Sequence, residues 1–419
     1  MSSRYPRTGR TPAILIAALT LLAACTIEGE PVAHHADLST LDTGAYSVDS
    51  LAEPQPGIDR HGRVVESVRL AESMIDPVEA DHALTEPLGA VGLFLMPTPA
   101  TAATLLAEPV RAVLEQHGMI TGAAVGGADR SVPNQPTTGA FRGLTVMVFR
   151  FPDTASAQAA AQQIDSVDAA VSTDNVPVSI ADYPAGHAHW RPGVPTLAAT
   201  VASESYVISV LAAHTESDLG ALTTLARNAF GTQIQRLRDF APTPADQLTA
   251  LPLDRDGMLA RMVPLAPGRW PYPEVITFAG QVVAGWDSSL YATGIVLGPR
   301  ALQLWAGRTR EGLVPAEAHA VNNLDALYRY PTAASARAAF ERLRSKDAER
   351  DARPTAGPAG ISAEDVHCTE EDEPDQLGLT RFLCVVRYGR YVAAVFTREL
   401  SNLRQKTAAQ YGLLVNGGP

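Results

Sequence analysis

Lysine is nearly missing from this chain of 419 residues. Among its 33 basic residues only Lys346 and Lys406 are lysines. Both fall in predicted helices beside charged or polar neighbours, so neither suits Schiff-base chemistry or a phosphate-loop ATP site. Positive charge is short as well. The net charge is −12, and removing residues 1–24, which carry Arg4, Arg7 and Arg10 and no acid, takes it to −15. A surface that acidic repels phosphate backbones, which argues against nucleic acid as a partner. The compact signatures of catalysis and metal binding are absent too: no GxSxG elbow, HExxH, CxxC or calcium-loop pattern occurs. No catalytic residue, metal or cofactor is therefore expected. What remains, 46% hydrophobic and 19% charged residues, is the composition of a globular protein long enough for two or three domains.

Long apolar runs are also scarce, and the one at the N-terminus is short. Arg4, Arg7 and Arg10 precede the apolar stretch 13–22, which closes in Leu22-Ala23-Ala24-Cys25. That stretch cannot serve as a stable span. A basic start, a brief apolar core and a small-residue pair before cysteine describe a lipoprotein signal peptide over 1–24, with Cys25 acylated after cleavage. Two or three acyl chains, each adding about 0.8 kcal/mol per buried methylene, would hold the protein on a membrane. The expected location is the extracytoplasmic face of the cell membrane. In that oxidising setting the two other cysteines, Cys368 and Cys384, are expected to pair. Residues 25–36 read as a tether.

The strongest internal pattern is a repeat. Residues 149–168, FRFPDTASAQAAAQQIDSVD, recur at 328–347 as YRYPTAASARAAFERLRSKD. Arg150, Pro152, Ala157, Ala160 and Asp168 return as Arg329, Pro331, Ala336, Ala339 and Asp347. Each copy reads as a strand ending in aromatic-Arg-aromatic, a proline that stops the ladder, a capping Asp153 or Thr332, and a helix with a small apolar stripe. Hairpins and a second helix follow each copy. The order argues a duplicated α+β fold: two domains, each an antiparallel sheet with helices packed on one face. The proline-rich join at 241–246 places the domains at 37–241 and 242–419.

Smaller features are read locally. Residues 98–117 suit one helix ending near Gly118. Gly122 to Gly127 lacks the spacing of a dinucleotide site and reads as a loop. Asp42-Thr43-Gly44 is the triplet of aspartic proteases, but no second copy exists and it reads as a turn. His187 and His189 share one side of a strand, and a zinc site needs a third ligand that the sequence does not supply. The acidic run from Glu370 to Asp375 lacks calcium-loop spacing and reads as a solvated loop. The second half carries Arg269-Trp270-Pro271-Tyr272-Pro273 and Trp286, absent from the first. Aromatics beside prolines can line a groove, which makes Trp270, Tyr272 and Trp286 the candidate binding surface. Core or domain-interface packing is the commoner use of tryptophan.

The segments Asp37-Leu38-Ser39-Thr40-Leu41-Asp42-Thr43-Gly44-Ala45-Tyr46, Asp76-Pro77-Val78-Glu79-Ala80-Asp81 and Gly257-Met258-Leu259-Ala260-Arg261-Met262-Val263-Pro264 resemble a family of two-domain envelope lipoproteins of unknown function from mycolic-acid-producing actinobacteria. The resemblance implies an exported, lipid-anchored, two-domain protein and carries no catalytic residues. Two functions are open at this point. One is a non-catalytic binding or scaffolding lipoprotein that engages an envelope lipid, glycan or protein. The other is a hydrolase of envelope lipid or glycan, with its residues brought together by the fold. Oligomeric state is not legible.

Overall fold

In the computed structural model, which describes residues 35–88, 92–132, 137–277, 290–306, 314–349, 352–371 and 382–418, the repeat builds the same sheet twice. The first half begins with α1 (Asp59–Ala71), the short edge strand β1 (Glu86–Pro87) and β2 (Leu93–Met96). Two helical pieces follow, α2 (Pro99–Ala102) and α3 (Val110–Gln116), then β3 (Thr121–Ala128), β4 (Gly143–Arg150) and the repeat helix α4 (Thr154–Ala169). It ends with β5 (Val176–Pro177), β6 (His187–Trp190), β7 (Thr196–Ser203), β8 (Tyr206–Ala213) and α5 (Leu219–Leu237). The strands lie in the order β1-β3-β4-β8-β7-β6-β5, all antiparallel, with β2 also paired to β3.

The second half opens with a hairpin of its own, β9 (Glu274–Thr277) with β10 (Leu290–Thr293). Then come β11 (Ile295–Leu297), α6 (Pro299–Ala306), β12 (Ala318–Asn322), β13 (Asp325–Arg329) and the second repeat helix α7 (Ala333–Glu349). β14 (Arg353–Pro354), β15 (Val366–Glu370), β16 (Phe382–Tyr388), β17 (Tyr391–Thr397) and α8 (Leu400–Asn416) complete it. The order β11-β12-β13-β17-β16-β15-β14 reproduces the first sheet position for position. Among the described residues the β9–β10 hairpin has no counterpart in the first copy and β1 none in the second; β11 and α6 stand where β2 and α2–α3 stand, Leu297 pairing with His319 as Met96 pairs with Gly122.

The repeated residues explain the match. Asp153 accepts from the Ser156 amide at 2.7 Å, and Thr332 Oγ1 accepts from the Ser335 amide at 3.1 Å, so both helices start on the expected caps. Ala157, Ala160, Ala161 and Ile164 of α4 are buried, as are Ala336, Ala339 and Phe340 of α7. Small side chains let each helix lie close on its sheet. The α+β class and the two antiparallel sheets are as the pattern predicts, and the repeat helices do share one face. The other face is covered as well. Met147 and Phe149 pack under α4, whereas Leu144, Val146 and Val148, one residue out of phase, pack against α1 and α5. In the second sheet Val385 and Val392 meet α7, while Val386 and Ala393 meet α8.

Three expectations change on contact with the fold. Residues 122–127 are not a loop: all eight residues of β3 are buried, and a Cβ added at Gly127 would lie 2.5 Å from Pro77. Glycine here permits close approach of a neighbouring segment, not a turn. The span 98–117 is two helices: the first ends at Ala102, and the second starts after Pro109, which stands at its N-cap, where no helical N–H donation is needed. Finally, residues 36–53, which precede the first sheet, run along the second half. Leu41 joins its core, Tyr46 Oη donates to Asn402 at 2.8 Å, and Glu53 accepts from the amides of Leu253 and Asp254.

The halves meet through apolar packing and through α1. One continuous core contains Val64 and Val68 of α1, Ile208 of β8, and Ile295, Leu297 and Leu302 of the second half. Glu72 accepts from the backbone amides of Arg300 and Ala301, capping the start of α6 from the other half, and Arg300 Nε donates to the Met74 carbonyl at 2.7 Å. Among the described residues no helix is long and apolar enough to cross a membrane.

Candidate functional site

The sequence offers Trp270, Tyr272 and Trp286 as candidates, and the fold separates them. Trp270 is 6% exposed and belongs to the core of the second half, so it presents no binding face. Tyr272, two residues on and beyond Pro271, is exposed and stacks on His61 of α1, centroids 4.8 Å apart and 22° between planes. Trp286 and Cys25 lie outside the described residues. Cys368 and Cys384 sit opposite one another on β15 and β16 and form a disulfide, with Cα atoms 4.1 Å apart. Asp42 is a turn residue, accepting from the Gly44 amide and from Gln405. Part of the acidic run, from residue 372 on, also lies outside the described residues.

The repeat's polar residues meet partners in both copies. Asp168 and Asp347 each face a histidine from equivalent strands, β6 and β15, although in register His367 stands where His187 does, two residues from the place of His189: His189 Nε2 is 3.7 Å from Asp168, with its Nδ1 2.8 Å from Asp165, and His367 Nε2 is 3.3 Å from Asp347. Burial, with Asp165 nearby, pushes the Asp168 carboxyl up against the opposing pull of His189. His187 does not join this cluster, and no group of metal-ligating side chains occurs among the described residues. Arg150 and Arg329 likewise each meet a carboxylate, Glu66 at 2.8 Å and Asp256 at 2.9 Å. Lys406 differs most from expectation. It is buried, not solvated, because α8 turns it onto Asp325 of β13, Nζ 2.5 Å from Oδ2.

A spacious candidate site lies between α6 and α7. There a cleft of about 1130 Å³ is walled by α6, α7 and the edge strand β1 of the first half. Its apolar wall is made by Leu302, Val314, Ala316 and Ala339, and Tyr328 and Tyr330 of the repeat close its floor. In register Tyr328 lies opposite His319, and the rings stack at 4.3 Å and 7°. His319 is 3% exposed, neither ring nitrogen has a hydrogen-bond partner, and burial pulls its pKa down to about 3. The imidazole therefore stays neutral and acts as a backing plate for Tyr328. Burial pushes Tyr330 up to about 12, so the floor offers un-ionised phenols at any physiological pH. Around this surface stand Arg300, Arg342 and Lys346, against Glu86 on β1.

The first copy shows why the cleft is open only in the second. There α3 packs against α4, and Leu105, Val110, Val113 and Leu114 fill the layer between α4 and the sheet edge. In the second copy α6 leans instead on α1 and β2, with Leu302 and Leu304 joining the inter-half core. The sequence signal was available in one form: Tyr328 and Tyr330 replace Phe149 and Phe151, adding hydroxyls where the first copy is fully buried. The juxtaposition of β1 with α6 and α7 could not be read from it.

Two family models match the chain. The N-terminal part of a domain of unknown function (DUF7373) covers residues 53–253, and its C-terminal part covers residues 258–417. No curated protein matches. A solved structure, the crystal structure of the extracellular domain of PknH from Mycobacterium tuberculosis, aligns at 12% identity over 42% of this chain and 97% of that one, with a TM-score of 0.26. That superposition is too loose to support an argument about fold or function.

Proposed function

The chain belongs to the DUF7373 family, with the N- and C-terminal parts in order, and from that premise we propose that it is a non-catalytic binding lipoprotein of the cell envelope. Cys25 holds it at the extracytoplasmic face of the membrane, and the cleft between α6 and α7 receives the ligand. The observation that carries this reading is that one scaffold occurs twice and its α4 side is packed solid in one copy and open in the other. A concave, mostly apolar space with a few convergent polar groups is the usual form of a ligand site. The placement of the perturbed carboxylates supports binding over catalysis in this cleft: Asp168, Asp254 and Asp325, each raised by burial, do not line it.

The test is native mass spectrometry of the mature protein purified from its own envelope. A co-purifying molecule lost when Val314 is replaced by Asp is the expected result. If nothing co-purifies and ester or glycosidic substrates are turned over, with turnover abolished by substituting one acidic or histidine residue, the hydrolase reading replaces this one. The anchor is tested separately by Cys25→Ala and fractionation: a variant that stays in washed membranes overturns it.

A further inference from the structure

Resting on that reading of the cleft, we propose its ligand class: an amphipathic anion, a carboxylate headgroup on a single long acyl chain. Size comes first. At about 1130 Å³ the cleft exceeds the roughly 300–1,000 Å³ of pockets for small molecules, so it suits an extended body. Its surface then divides into two regions. Leu302, Val314, Ala316 and Ala339 give aliphatic contact with no polar demand, and the neutral phenols of Tyr328 and Tyr330 complete a wall that offers no charge to an apolar chain.

The charged region lies along α7. Ala339, Arg342 and Lys346 are spaced i, i+3, i+7, so they line one helical face over about 10 Å. Ala339 is buried, and the two cations follow it toward the helix C-terminus. Lys346 has no ion-pair partner among the described residues, whereas the chain's other lysine is buried on Asp325. Its place in the last turn of α7 is by itself a favourable one for a cation. What points to a ligand is that this unpaired ammonium lines a cavity. Arg342 bonds Glu349 and Ser345 through Nη1 alone, leaving Nε and Nη2 for a carboxylate. Arg300, across the cleft, is already engaged by Glu79 and the Met74 carbonyl and adds field, not a free fork. Glu86 on β1 is the one acidic side chain among the described lining residues, and its repulsion directs an anionic headgroup to α7 instead. In a protein of net charge −12 such a positive strip is local, and its attraction reaches only about a Debye length, roughly 8 Å at physiological salt.

The experiment titrates the mature full chain with a naturally fluorescent long-chain fatty acid, alongside the fatty alcohol of equal length, a short-chain acid and inorganic phosphate. Saturable binding of the fatty acid is expected, with the alcohol, the short acid and phosphate each at least tenfold weaker. Arg342→Gln and Lys346→Gln should each weaken it about tenfold, the loss of one charge-assisted contact. Val314 is half exposed, so Val314→Asp leaves folding intact, which thermal unfolding verifies, and it should abolish binding. Equal affinity for the alcohol, equal affinity for phosphate, or binding that ignores all three substitutions overturns the inference. A neutral co-purifying ligand lost in Val314→Asp would overturn it too while leaving the binding function standing. Absence of both co-purification and titration binding removes both readings.

Discussion

Replacing His319 by phenylalanine should stabilise the protein, and more so as pH falls. The ring is 3% exposed, stacks on Tyr328 at 4.3 Å, and has no partner for either nitrogen, with burial as the only influence on its pKa. An unsatisfied buried donor costs about 1–3 kcal/mol, which phenylalanine removes while keeping the aromatic stack. The second contribution depends on pH. Unfolded, the imidazole titrates near 6.5; folded, it is held at about 3. A folded pKa below the unfolded one means that the unfolded chain takes up the proton first. Stability is therefore lost as pH drops below about 6.5, with a slope approaching 1.4 kcal/mol per pH unit, until the folded pKa is reached. Between pH 7 and pH 5 the loss attributable to this ring is about 2 kcal/mol. Any other group that titrates in that range is common to both proteins and cancels in the comparison. The assay is urea unfolding of wild type and His319→Phe at the two pH values. The stability difference should widen by about 2 kcal/mol on acidification. A difference that is unchanged between the two pH values would mean that the ring is solvated or partnered, and the backing-plate description of His319 would be wrong.

Two further outcomes follow from the second half. Lys406→Met should cost about 3–5 kcal/mol in thermal or urea unfolding, because Asp325 is left buried and unpaired; adding Asp325→Asn, which keeps an acceptor for the Phe396 amide at 3.0 Å, should recover most of it. If the double variant is no more stable than the single, the pair is not the source of the loss. Reduction of Cys368–Cys384, sixteen residues apart, should lower stability by about 3 kcal/mol in the chain-entropy description. Two thiols alkylated in the unreduced, unfolded protein would show that no bridge forms.

Periodicity carried most of the fold, and it failed where long-range contact overrides local pattern. The repeat, its caps and its alanine stripe are local features, so α4 and α7 were legible to within a residue of their starts. Residues 122–127 misled because glycine marks a turn only when nothing approaches it. Here Leu88 and Pro77 do, and the segment is an interior strand. Lys406 was misread for a related reason: its neighbours in sequence are polar, but its neighbour in space is Asp325, 81 positions away. Trp270 beside its prolines was a candidate for a groove, with core packing the commoner use of tryptophan, and the chain does fold it inward while Tyr272 is exposed. The cleft was least legible of all. It needs residues 85–87, 299–306 and 328–346 side by side, and no local rule joins them.

Duplication also separates what a residue is from what it contributes. Arg150 and Arg329 occupy the same place in the repeat, end equivalent strands, and each meets a carboxylate from the segment that precedes its sheet. Their surroundings differ. Glu66 is fully buried and is held also by Arg69 and by Thr243, whereas Asp256 and Glu317, the partners of Arg329, have side chains 47% and 42% exposed. Arg150→Met keeps the aliphatic packing but leaves a buried carboxylate with only its remaining partners, a loss of about 3 kcal/mol, the lower end for a broken buried pair. Arg329→Met exposes no uncompensated charge, since water reaches both acids, and its cost should stay within about 1 kcal/mol. Salt sharpens the contrast, because screening weakens the exposed pair and barely touches the buried one. Paired urea titrations of the two variants at low and high salt measure it directly. Equal losses in the two variants would mean that the arginine matters through strand packing common to both copies, and that the carboxylates are incidental.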